Sequence, residues 1–97
     1  MLISQVVVNL PRGLQSAKNT ADFVVIASSF SSKINITYKE VTIGIDIMEI
    51  MDLNVGVGQE ITLIVNGADE QSAVCLLRSF LLGNSGLDSN YSHNNAC

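Results

Sequence analysis

Residues 2 to 10, LISQVVVNL, put Leu2, Val6, Val8 and Leu10 on one side of an extended chain, with Ser4 the exception, and Gln5 and Asn9 on the other. Alternation with period two predicts a half-buried strand. Pro11 and Gly13 end it. From about Thr20 the spacing changes to three and four, with Thr20, Phe23, Val24, Ala27 and Phe30 on one side, so a first helix is predicted over about residues 18 to 30. Ile34, Ile36 and Tyr38 alternate again, as do Val41, Ile43 and Ile45, with only Lys39 and Glu40 between the two runs. That pattern reads as a hairpin.

The stretch IDIMEIM carries a sharper signal. Asp46 can accept hydrogen bonds from the first free amides of a helix starting at Ile47, and Glu49, three residues on, completes the pattern of a capping box. Ile45 and Ile50 are placed for a hydrophobic staple across that cap. Gly56 and Gly58 close the segment, and Gly56-Val57-Gly58 is too short for a phosphate loop and reads as a turn. Glu60 to Asn66 alternates through Ile61, Leu63 and Val65. Asp69 then stands where it can cap a last helix with the apolar stripe Ala73, Leu76, Leu77, Phe80 and Leu81, stopped by Gly83. The order is β-α-β-β-α-β-α. Four strands with one polar face each suit an antiparallel sheet covered on one face by three helices, an α+β open-faced sandwich over residues 1–83. The remaining segment, 84–97, is rich in Ser and Asn and reads as a disordered tail.

Composition narrows the class. Of 97 residues 47% are apolar and 14% charged, which suits one folded domain rather than a disordered chain, and no apolar run nears the ~20 residues needed to span a bilayer. The first residues lack the basic segment and cleavage site of a signal peptide, so the chain reads as cytoplasmic. Cys75 and Cys97 form neither a disulfide framework nor a zinc spacing and read as free thiols. The formal charge of −4 is unevenly laid out: no base occurs from Glu40 to Leu77, where seven acids stand. Such a stretch argues against direct binding to nucleic acid and for a protein partner with a basic face.

"GL" at Gly13 and Leu14, "IMEIMDL" at 47 to 53 and "EITLIVNGADEQSA" at 60 to 73 together make the chain resemble the HPr family over about residues 2 to 82. These are the small histidine-containing phosphocarriers of the bacterial sugar phosphotransferase system. The resemblance implies a four-stranded antiparallel sheet with three helices on one face. In that family the residue after "GL" or "GI" is the histidine that takes phosphate from enzyme I and passes it to sugar transport proteins. Here it is Gln15. An imidazole nitrogen is nucleophilic near neutral pH, whereas the lone pair of an amide is delocalised, so relay through this position is expected to be lost. The family's following Ala-Arg-Pro is replaced by "SAKN", with one extra residue in the loop, a hairpin turn one residue shorter, and Lys18 in place of the arginine. Lysine can attract an anion without the two-pronged geometry of a guanidinium. Glutamine at this position is similar to what the catabolite-repression paralogues of the family carry.

Asp46 falls where Gram-positive members have the serine that a regulatory kinase phosphorylates. It cannot be phosphorylated there, yet it keeps a negative charge at a helix N-terminus, and so imitates the phosphorylated state in part or serves as a plain cap. Ile47, Met48 and Met51 resemble the apolar patch through which the family docks partners, and together with Gln15, Ser16, Lys18 and Thr20 they form the expected contact surface. The reading is a non-catalytic regulatory binding module of carbon metabolism, without cofactor or metal, whose partner is a transcriptional regulator or a phosphotransferase-system enzyme. The alternative is a working phosphocarrier relaying through an unconventional residue such as Ser16 or His93.

Overall fold

The computed structural model describes residues 1–83, and the expected tail, with His93 and Cys97, lies outside the described residues. Strand β1 covers Leu2–Val7, helix α1 Ala17–Ser28, β2 Lys33–Tyr38, β3 Val41–Ile43, α2 Ile47–Leu53, β4 Glu60–Asn66 and α3 Glu70–Leu81, with a short 3-10 turn at Gly13–Gln15 ahead of α1. All strand pairings are antiparallel, in the order β1-β4-β2-β3. The helices lie on one face, so the expected element order and open-faced architecture are both present.

The alternating residues do what period two requires. Val6, Val8, Ile34, Ile36, Tyr38, Ile61, Leu63 and Val65 turn inward and are buried against Phe23, Ala27, Ile50, Ala73, Leu77 and Leu81 from the helices. Complete burial of one such side chain contributes roughly 1.5 to 3 kcal/mol, which is why the pattern decides the register. β1 ends at Val7, but the alternation continues to Leu10 because Val8 still bonds Gln59 and Gly58 and Asn9 bonds the end of α3. Ser4, the polar exception on the inward face, accepts a hydrogen bond from Arg78 at 2.9 Å. The hairpin turns on Lys39 and Glu40, both in the left-handed region (φ 51° and 69°), the backbone of a two-residue turn whose twist matches the strands.

Several expectations need correction. Asp69 stands at the N-terminus of α3 but does not cap it. Its carboxylate accepts instead from the Ser31 amide at 2.8 Å and from the Ser32 hydroxyl, just ahead of the start of β2. Leu76 is exposed because it lies on the flank of the stripe, and Val74 takes the inward place. α2 stops at Asn54, in the left-handed conformation (φ 58°), before either glycine. Cys75, expected to be a free thiol, is disulfide-bonded. The outer faces of the strands are not uniformly polar, since Ile3 and Val7 are exposed there.

The Asp69 contacts predict a pH dependence. Hydrogen bonds from Ser32 and Ser31 favour its charged form and hold its pKa below the ordinary value of 3.8. A depressed folded-state pKa contributes stability that is present above the unfolded value and lost as pH falls through the folded one. Denaturant midpoints measured from pH 5 down to pH ~2.5 should therefore fall more steeply for the parent than for Asp69→Asn. Parallel profiles would show that these bonds contribute nothing.

Candidate functional site

The site is built from three segments that pack on one another, the 3-10 turn, the start of α1 and helix α2. The chain leaves Leu10 through Pro11 and passes Arg12 in the left-handed region (φ 71°). Gly13 follows, also left-handed and buried, seated against the backbone of Val55 to Val57. A side chain at residue 13 would have its Cβ 2.7 Å from the Val55 carbonyl oxygen, so the approach requires glycine. The Leu14 amide donates to that oxygen at 2.9 Å and its side chain is fully buried. Asn19 closes the loop from the helix side, its amide nitrogen donating to the Pro11 and Gly13 carbonyls at 2.8 and 2.9 Å.

This frame leaves Gln15 at the surface. Its Nε2 donates to Asn54 Oδ1 at 2.9 Å, and its amide lies over Gly56. Gln15, which the resemblance puts in the place of the reactive histidine, is therefore an amide held to the end of α2. Its open polar atom is a carbonyl oxygen, which can accept a hydrogen bond but cannot take a phosphoryl group. Ser16 is the N-cap of α1, its Oγ accepting from the Asn19 amide at 3.3 Å. Lys18 turns along its own helix to Asp22 at 3.0 Å, with 81% of its side chain exposed. Such an exposed pair holds a side chain loosely. Thr20 corrects an expectation: it is completely buried, and its hydroxyl donates to the Leu14 carbonyl at 2.9 Å. It supports the loop from beneath and cannot touch a partner, because helical periodicity places it on the face shared with Phe23 and Ala27.

On the adjoining side, Asp46 Oδ1 accepts from the Met48 and Glu49 amides at 2.9 and 3.1 Å. Glu49 does not return the bond to the Asp46 amide, so only half of the capping box is made. Asp46 Oδ2 has no partner among the described residues. Beyond the cap Met48 is 72% and Ile47 38% exposed, Met51 is half-buried and Ile50 is in the core. Asp46, Glu49 and Asp52 are exposed around this apolar strip. Asn54 and Arg12 were not singled out from sequence. Asparagine at the end of a helical pattern is a known left-handed stop, and that cue was open to use. No local cue shows that the Arg12 guanidinium, on a residue at a left-handed position, makes no hydrogen bond or ion pair with any described residue, while its carbonyl accepts from the Gln15 amide at 3.2 Å.

Among the described residues no group of three or more His, Cys, Asp or Glu could hold a metal ion, and no helix is long and apolar enough to cross a membrane. The model of the phosphotransferase-system HPr component phosphorylation site matches residues 3–82. The chain is 42% identical over 82 residues to the HPr-like protein Crh of Halalkalibacterium halodurans, which covers 84% of this chain and 96% of that one. The phosphocarrier HPr of Bacillus anthracis superimposes with a TM-score of 0.79 at 33% identity, over 82% of this chain and 95% of that one. Bacillus subtilis Crh, a catabolite-repression protein seen as a swapped dimer, does so with a TM-score of 0.69 at 34% identity, over 87% and 97%. Sequence and fold agree, and the chain belongs to the HPr family of the phosphotransferase system.

Proposed function

We propose that this protein is a regulatory member of its family, docking a protein partner in carbon metabolism without carrying phosphate. One observation carries the reading: Gln15, which the resemblance puts in the nucleophile's place, is tied to Asn54 and set beside an exposed apolar strip on a helix capped by a fixed negative charge. A docking surface needs an apolar anchor, a polar rim and preformed geometry, and needs no nucleophile. Met48 and Ile47 supply the anchor; Asp46, Glu49, Asp52 and Gln15 supply the rim. The acids call for a partner with basic residues around an apolar pocket, as a transcriptional regulator or a phosphotransferase-system enzyme would present. Ser16 is a poor substitute nucleophile, since its oxygen already accepts the Asn19 amide and no described base hydrogen-bonds to it.

Binding to a regulator that recognises serine-phosphorylated family members tests this reading. The unmodified protein should bind, and Met48→Ala should raise the dissociation constant about five- to tenfold, with a denaturant midpoint unchanged because Met48 is exposed. The loss should be insensitive to salt, as apolar contacts are. Undiminished binding of Met48→Ala would place the contact elsewhere.

A further inference from the structure

The sheet face that no described helix covers has a charge and shape pattern of its own, independent of the helix-side site. Its centre is uncharged, with Gln5 and Asn35 standing among β-branched side chains. Ile3 and Ile64 are cross-strand partners there, Ile3 64% exposed, and Val7 is 44% exposed at the end of the same strand. Thr62, Thr37 and Thr42 form a row across β4, β2 and β3, with Thr37 and Thr42 hydroxyls 2.8 Å apart. The two ionised side chains of this face stand at opposite ends of adjacent strands: Lys33 lies opposite Asn66 at one end of β4, and Glu60 opposite Val7 at the other.

We propose that this face is a self-association surface, occupied by a second copy of this chain packed sheet on sheet about a two-fold axis. An axis between the sheets and perpendicular to the strands reverses strand ends while keeping strand order. Lys33 of each copy then comes to the end where Glu60 of the other stands, displaced by one strand spacing of about 4.8 Å and within reach of a lysine stem. The pattern is self-complementary: like charges are kept apart, and the apolar and threonine rows meet at the ~10 Å separation of packed sheets. With strands of about seven residues, the face spans on the order of 400 Å² per copy. Two copies bury roughly 800 Å², below the ~1,200 Å² of stable complexes, so the dimer is weak, exchanges rapidly and forms at high protein concentration.

Sedimentation equilibrium on the full chain up to ~1 mM tests this, with circular dichroism to show that each variant is folded. A rapidly exchanging dimer is expected. Ile3→Lys should weaken it at least tenfold, and Lys33→Glu should weaken it in a way that the added change Glu60→Lys restores. A strict monomer over the whole range overturns the proposal. So does a dimer indifferent to Ile3→Lys, or one that exchanges slowly, which would join the copies elsewhere or by strand exchange. Lowered stability of monomeric Ile3→Lys would place another segment of the same chain on this face, and overturns it as well.

Discussion

Replacing Gly13 by alanine is expected to destabilise the fold by roughly 2 to 5 kcal/mol and to displace Gln15 from the end of α2. Two costs combine. The backbone at residue 13 has φ 56°, where a side chain other than glycine's is strained by about 1 to 3 kcal/mol. The new Cβ would also stand 2.7 Å from both the Val55 oxygen and the Gly56 carbonyl carbon. Those atoms are backbone and cannot swing aside, so the loop must lift, breaking the bond from the Leu14 amide to Val55 and uncovering Leu14. Gly58→Ala is the control, since Gly58 shares a positive φ of 88° but a Cβ there meets nothing within 4 Å. Urea unfolding should show the Gly13 variant losing at least twice as much as the Gly58 variant. Equal losses would mean that the close approach of the loop to α2 is not made in solution.

Asp46→Asn is expected to weaken the regulator complex about ten- to a hundredfold while leaving the fold nearly as stable as before. Asparagine caps helices as well as aspartate, so its Oδ1 can still accept the Met48 and Glu49 amides. What it removes is the charge, and the oxygen unpartnered in the free protein becomes an amide nitrogen. A charge-assisted hydrogen bond from a basic partner contributes about 1.5 to 3 kcal/mol, which sets the expected loss, and added salt should reduce the difference. Asp46→Ala separates the roles from the other side, losing the cap as well and about 0.5 to 2 kcal/mol of stability. If calorimetry finds Asp46→Asn binding as tightly as the parent, Asp46 is a helix cap and nothing more.

The parts of the fold that show in the sequence are those where one local rule acts alone. Period two places β2 and β4, the Asp46 cap places the start of α2, and Gly83 marks the end of α3, because backbone geometry and burial demand the same residues there. Where side chains answer to distant partners, local rules mislead. Asp69 looks like a cap but serves Ser31 and Ser32, 38 and 37 residues away. Ser4 looks misplaced until Arg78 reaches it from α3. The candidate site follows the same division: Gln15 and Asp46 stand out in the sequence through its resemblance to a family pattern, whereas the Gln15–Asn54 bond joins loops 39 residues apart and has no local signature. Thr20 is the instructive error, a residue near the site in sequence that helical phase turns into the core.

Whether the chain accepts phosphate separates a binding module from a phosphocarrier most directly. Incubation of the full protein with phosphoenolpyruvate and enzyme I, followed by intact mass under conditions that preserve phosphoramidates, should give an unmodified chain. Gln15→His should gain little, because the family's arginine is absent, Lys18 is turned to Asp22, and misplacing a reacting group by about 1 Å can cost ~100-fold. An unmodified parent is the predicted result; a parent chain heavier by one phosphoryl group would contradict the binding-module reading and make the protein a phosphocarrier.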